Sequence, residues 1–190
     1  MILRYMSKTQ QLTELRKEIQ DKFKGKKIVL GKGRVATGLM IIVGSPSKEE
    51  QQKGKMFVGE TGKVLDQLLK ELKLKRNDFY ITPAVKFTPK FDKPKHKEIK
   101  RSSFFIKQEI KIVEPSVIIA LGNTALKGLG VKLPLQNIRG RLVRFGEMNL
   151  FATYSPEEMG TDHKLHDKVH EDFQTLKGIL EEEKKKKKED

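Results

Sequence analysis

Two short loops carry side chains that could do chemistry. The first, Gly44-Ser45-Pro46-Ser47-Lys48-Glu49-Glu50, follows an apolar run at 40–43 and leads into Gly54-Lys55-Met56-Phe57-Val58-Gly59. The second is Tyr154-Ser155-Pro156-Glu157-Glu158-Met159. Each sets a hydroxyl beside a pair of carboxylates. A carboxylate exchanges protons with water or a leaving group, and a hydroxyl donates one hydrogen bond to a developing anion. Backbone N–H groups around Ser45 to Lys48 offer a place to bind a carbonyl oxygen. His163, His166 and His170 form a third constellation, within about 60° of arc on one helix. They lie beside an apolar stripe, among Asp162, Asp167 and Glu171, as boundary residues do, and no metal site is assigned to them. Gly31-Lys32-Gly33 opens no helix and lacks a following lysine-serine pair, so it reads as loop rather than a phosphate cradle.

The elements that must hold these loops follow from apolar spacing. Leu12, Leu15, Ile19 and Phe23 mark a helix over 9–24 that stops at Gly25. Runs at 40–43 and 116–122 read as buried parallel strands, and 78–86 as a strand that Pro83 ends or moves to an edge. Helices are predicted over 61–72, 98–113, 123–130 and 164–183, and a hairpin from Arg141–Phe145 and Asn149–Tyr154 turning at Gly146-Glu147. Strands alternating with helices at this spacing predict an α/β protein: a three-layer sandwich with a central, mostly parallel four-stranded sheet flanked by helices. Loops at the carboxyl ends of such strands are where an α/β sheet builds its site. The expected layout is one domain over 1–180 with a disordered charged tail at 181–190.

The 190 residues hold 40 Lys plus Arg against 25 Asp plus Glu, a net charge of +15. The terminal EEEKKKKKED sums to zero, so the excess lies on the body. A body this basic suits a polyanion, because neutralising phosphates releases counterions; a Lys-rich surface kept for solubility is the alternative. The basic, aromatic, proline-rich stretch 86–97 has the composition of a loop beside nucleic acid, and equally of a solvated connection. With no cysteine, the chain cannot form disulfides, thiolate zinc sites or cysteine-ligated iron–sulfur clusters. No signal peptide or membrane span is read, so the expectation is a cytoplasmic monomer working with the cell's DNA.

In this order, the loop after 40–43, Gly54-Lys55-Met56-Phe57-Val58-Gly59, Tyr80-Ile81-Thr82-Pro83-Ala84-Val85-Lys86-Phe87, Arg139-Gly140 and Tyr154-Ser155-Pro156 resemble the uracil-DNA glycosylase superfamily, most closely its family 4 branch. The resemblance spans residues 27–156. It implies an enzyme that flips a base from DNA and hydrolyses its N-glycosidic bond. Phe57 would stack on the flipped base, with Gly44, Ser45, Pro46, Ser47 and Pro83 around it, or else it is a core residue under its loop. Arg139, Tyr154 and Pro156 would lie along the DNA. Met159 is the candidate wedge into the duplex, or a side chain packed under its own loop, and His163 a candidate phosphate contact. The departures matter as much. Gly44 stands where the family has a glutamate, Pro83 where an asparagine reads the uracil edge, and Ser155 where a histidine stands. Phe87, and Lys100 or a neighbour, take the places of two of four cysteines that hold an iron–sulfur cluster in family 4. No cofactor is therefore expected.

Excising a base means stabilising a cationic sugar and an anionic leaving base while water attacks. Glu50 is the favoured carboxylate among Glu49, Glu50, Glu157 and Glu158, and Ser155 replaces the lost imidazole donor. A neutral hydroxyl is a weaker donor than imidazole, and Pro83 has no amide edge, so the reading is a monofunctional DNA glycosylase turned from uracil toward another base, such as a modified pyrimidine. The alternative is a DNA-binding member of the superfamily that kept the basic groove and lost the chemistry.

Overall fold

The computed structural model describes residues 6–91 and 93–189. Its elements run α1 (Lys8–Lys22), β1 (Lys32–Gly33), β2 (Leu39–Val43), α2 (Lys48–Lys53), α3 (Gly59–Glu71), β3 (Tyr80–Pro83), α4 (His96–Val113), β4 (Val117–Leu121), α5 (Asn123–Leu129), α6 (Leu135–Ile138), β5 (Leu142–Phe145), β6 (Met148–Thr153), α7 (Pro156–Thr161) and α8 (Leu165–Glu189).

The sheet has six strands in the order β1-β3-β2-β4-β6-β5. Four of them, β3, β2, β4 and β6, are mutually parallel; β1 and β5 pair antiparallel at the two edges. The expected four-stranded sheet is this parallel centre. The count rises to six because β1 is only two residues long, too short for an alternation to show, and because the β5/β6 hairpin joins the same sheet.

Side chains alternate across the central strands, as a period of two requires. Met40 and Ile42, Ile118 and Ala120, and Leu150 and Ala152 face a core closed by α1, α4 and α5. Leu39, Ile41 and Val43, Val117, Ile119 and Leu121, and Phe151 face the second core, closed by α3, α7 and α8. β2 and β4 are buried on both faces along their whole length, which is why they read as unbroken apolar runs. The result is a three-layer sandwich whose central strands all end at one edge, where the two candidate loops emerge.

The last helix outruns its apolar repeat. It continues to Glu189, through the charged run whose composition predicts disorder. Between the layers lies a charged network: Lys86 Nζ is 2.7 Å from Glu109 Oε2, Thr82 Oγ1 lies 3.0 Å from both Glu109 oxygens, and Tyr80 donates to Glu109 at 3.1 Å. Lys86 and Glu109 are fully buried. Burial, then the Glu109 charge, raises the Tyr80 phenol far above its usual range, while burial lowers the Lys86 ammonium.

Candidate active site

Both loops are built as capping boxes. Ser47 caps α2: its hydroxyl accepts the Glu50 N–H at 3.2 Å, and Glu50 Oε2 accepts the Ser47 N–H at 2.8 Å. Ser155 caps α7 in the same way, accepting the Glu158 N–H at 3.3 Å while Glu158 Oε2 accepts the Ser155 N–H at 2.8 Å. The spacing S-x-x-E satisfies two orphan donors at a helix start. In each box the carboxylate three residues after the serine serves the backbone, and the one before it, Glu49 or Glu157, is left for other work. Glu49 pairs with Lys53 at 2.7 Å in solvent.

Glu50 does more than cap. Its other oxygen, Oε1, accepts the N–H of Phe57, and the residue is only 2% exposed. Phe57 has φ +56, a left-handed conformation that costs a β-carbon-bearing residue on the order of 1–2 kcal/mol. The strain is held from both sides, since the Arg76 guanidinium donates to the Phe57 carbonyl at 2.8 Å and is itself fixed by Asp66. The Phe57 ring is 5% exposed and packs into the second core.

Two cavities meet here. The inner one, about 10 Å³, is walled by Gly44, Ser45, Glu50, Phe57, Ser155, Pro156 and Glu157. The outer one, about 410 Å³, shares Gly44, Ser45, Ser155 and Glu157 and extends to Asn123, Thr124 and Lys127 at the start of α5. Glu157 thus stands at the boundary between them. Glu157 is exposed at the surface, while the protein packed around its carboxyl, followed by the charges of Glu50 and Glu158, pushes its pKa up from 4.5 to about 7. A carboxyl near 7 is poised to exchange a proton at neutral pH. Ser155 Oγ accepts from the backbone and keeps its own proton to donate.

Other expected positions fall differently. Gly44 is a plain strand end with ordinary φ, and a β-carbon there would lie 3.6 Å from Thr124 Cβ, so a side chain fits. The Ser47 N–H is committed to Glu50 and is not offered to a ligand. Pro46 is buried, and Pro83 ends β3 opposite Val43, buried and off both cavity walls. Pro156 is buried as the first residue of α7. Met159 is 1% exposed in the second core, packed under its own loop and not projecting as a wedge. Arg139 is spent internally: Nη2 lies 2.9 Å from Asp172 and donates to the Lys168 carbonyl at 2.7 Å, and its guanidinium sits 5.9 Å from the Tyr154 ring. His163 is exposed, its ring 5.5 Å from His166. His166 also contacts the Met159 carbonyl and His170 pairs with Glu71, while His163 lies before α8 begins at Leu165, so the three do not share one helix.

The iron–sulfur corner implied by the resemblance has no donors for a cluster. The chain contains no cysteine, and among the described residues no group of three or more His, Asp or Glu could hold a metal ion. Aromatic rings fill the space: Phe87 lies 5.3 Å from Phe23, which lies 5.8 Å from Phe105. Lys26 Nζ sits 3.6 Å over the Phe87 ring. An apolar, cation-capped cluster therefore ties α1 to α4.

The three-layer sheet thus carries a cavity at the ends of β2 and β6, between two capped loops. Residues 30–177 match the model of the uracil DNA glycosylase superfamily, and the chain belongs to that superfamily. It is 31% identical over 162 residues to the type-4 uracil-DNA glycosylase of Thermotoga maritima, covering 82% of this chain and 84% of that one. It is 30% identical over 166 residues to the type-4 uracil-DNA glycosylase of Saccharolobus solfataricus, with coverage of 82% and 77%. It also matches the DNA polymerase of Bacillus phage SP01 at 30% over 153 residues, 80% of this chain but 17% of that protein.

Proposed function

We propose that this protein is a monofunctional DNA glycosylase that excises a base other than uracil, leaving an abasic site. The reading is carried by one observation: Gly44, Ser45, Ser155 and Glu157 form the shared wall of the two cavities at the ends of β2 and β6. In the reaction the bond from the sugar C1′ to the base nitrogen breaks and its electron pair leaves with the base. The Ser155 hydroxyl donates a hydrogen bond to the departing anion. Water adds to the cationic C1′ and passes a proton to the Glu157 carboxylate. Glu50 is a positioning residue in this scheme, holding Ser47 and Phe57 in place. The DNA partner is supported by the +15 charge and by relatives named for DNA glycosylase or polymerase activity.

A second reading, DNA binding without chemistry, is favoured by the size of the inner cavity. About 10 Å³ is at the lower limit for one water molecule and excludes a pyrimidine until the Phe57 loop moves. Single- and double-stranded oligonucleotides carrying uracil, hypoxanthine, mismatched thymine or 5-substituted pyrimidines, incubated with the protein and then heated in alkali, separate the two. Strand cleavage at a base other than uracil supports the enzyme. Salt-dependent binding with every strand intact supports the binding module.

A further inference from the structure

The outer cavity does not end at Lys127. It shares Pro94, Ile99, Asn123 and Lys127 with a larger groove of about 710 Å³ that runs between α4 and α5 to the 131–134 turn. Its floor is apolar: Ile99 and Leu126 are nearly fully buried, and Val131 and Leu133 line the far side. Its rim is basic, with Lys100, Lys127 and Lys132 exposed and no acidic side chain among the described residues that line it. Leu133 is 57% exposed. Phe91, just before the residues that supply Pro94 and His96 to this groove, is 55% exposed with Lys95 Nζ 4.6 Å from its ring centroid.

We infer that this groove is a binding path for single-stranded nucleic acid leading to the Ser155–Glu157 cavity. An apolar floor under a cationic rim matches a strand whose bases stack inward and whose phosphates face lysines, the arrangement by which proteins hold single strands without reading sequence. Among the described residues lining the two cavities, the acidic ones lie at the Ser155 end, at Glu157 and Glu158. The groove therefore attracts the backbone along its length and meets carboxylates only where a sugar would become cationic. The inference rests on the proposed glycosylase reading for the role of that end, while the binding itself does not depend on cleavage.

The test is fluorescence anisotropy with a labelled oligothymidylate of twelve nucleotides, which holds no excisable base, and with a duplex of equal length, across a salt series. The double substitution K100A/K132A should lower single-strand affinity roughly tenfold and reduce the salt slope by about 1.4, at about 0.7 for each phosphate left without its lysine. The charge-matched control K24A/K111A, at exposed lysines off the groove, should leave the slope within about 0.5 of wild type. Phe91→Ala should weaken the single strand by roughly tenfold with the salt slope unchanged, as loss of stacking does. Equal effects of the groove and control pairs would overturn the inference, as would wild-type protein that fails to bind the single strand. Cleavage assays report on the glycosylase reading separately, so binding through the groove without base excision would refute that reading and leave this one standing.

Discussion

Glu50 both lines the inner cavity and braces its two loop segments, and removing it gives a worked prediction. Both its oxygens accept backbone N–H groups, from Ser47 and from Phe57, in a site 2% exposed. Hydrogen bonds to a charged group contribute about 1.5–3 kcal/mol each, and truncation leaves both donors buried and unpaired. Glu50→Ala should therefore cost about 3–5 kcal/mol, after some relaxation of the loop. That is a large share of the roughly 5–15 kcal/mol that holds a domain together. For a chain of this size it corresponds to a fall in Tm of about 6–20 °C. Glu50→Gln keeps one acceptor oxygen but points an amide at the other donor, and should cost about half as much. Thermal unfolding followed by circular dichroism, with urea titration for the free energy, measures both. At a temperature where Glu50→Gln is fully folded it should retain most base excision, whereas Glu157→Gln should lose it. Glu50→Ala unfolding within about 1 kcal/mol of wild type would refute the bracing role. Loss of excision in folded Glu50→Gln with Glu157→Gln fully active would return the catalytic role to Glu50.

Three further outcomes are expected. The folded Glu157 pKa of about 7 lies above its ordinary 4.5, so its contribution to stability is complete below about pH 4.5 and is lost as pH rises through 7; urea unfolding at pH 5 and pH 8 should show this loss in wild type and a smaller one in Glu157→Gln. Lys86→Met strands the buried Glu109 carboxylate and should cost about 3–5 kcal/mol, while Lys86→Met/Glu109→Leu should cost less than the sum of the two single changes in a urea double-mutant cycle. Restoring the family's residues in G44E/P83N/S155H should raise uracil excision at least about tenfold, since one well-placed donor to a developing anion is worth about 10²–10³ in rate; an unchanged rate in the folded triple variant would place the specificity elsewhere.

Much of the fold was legible because its central strands are buried on both faces. Leu39–Val43 and Val117–Leu121 are continuous apolar runs, as a parallel interior strand flanked by helices makes them. The two-residue β1 offered no pattern, and helix α8 runs on through charges that carry no apolar repeat. The site was legible as a place but not as a set of roles. Ser47-Lys48-Glu49-Glu50 and Ser155-Pro156-Glu157-Glu158 carry the same capping signature, which assigns the last glutamate of each to the backbone. Read that way, Glu50 and Glu158 each hold a backbone N–H at a helix start. Arg139 and Met159 could not be settled so, because Asp172 is 33 residues from Arg139 and the core that receives Met159 is assembled from distant strands and helices.

The central claim is that the cavity beside Ser155 and Glu157 releases a base other than uracil. Mass spectrometry of the free base, released from single-stranded oligonucleotides that carry uracil or a 5-substituted pyrimidine at one position, tests it most directly. The expected result is a modified base released faster than uracil by wild type and not released by Glu157→Gln. Release of uracil alone, or of no base from any strand that the protein binds, would contradict it.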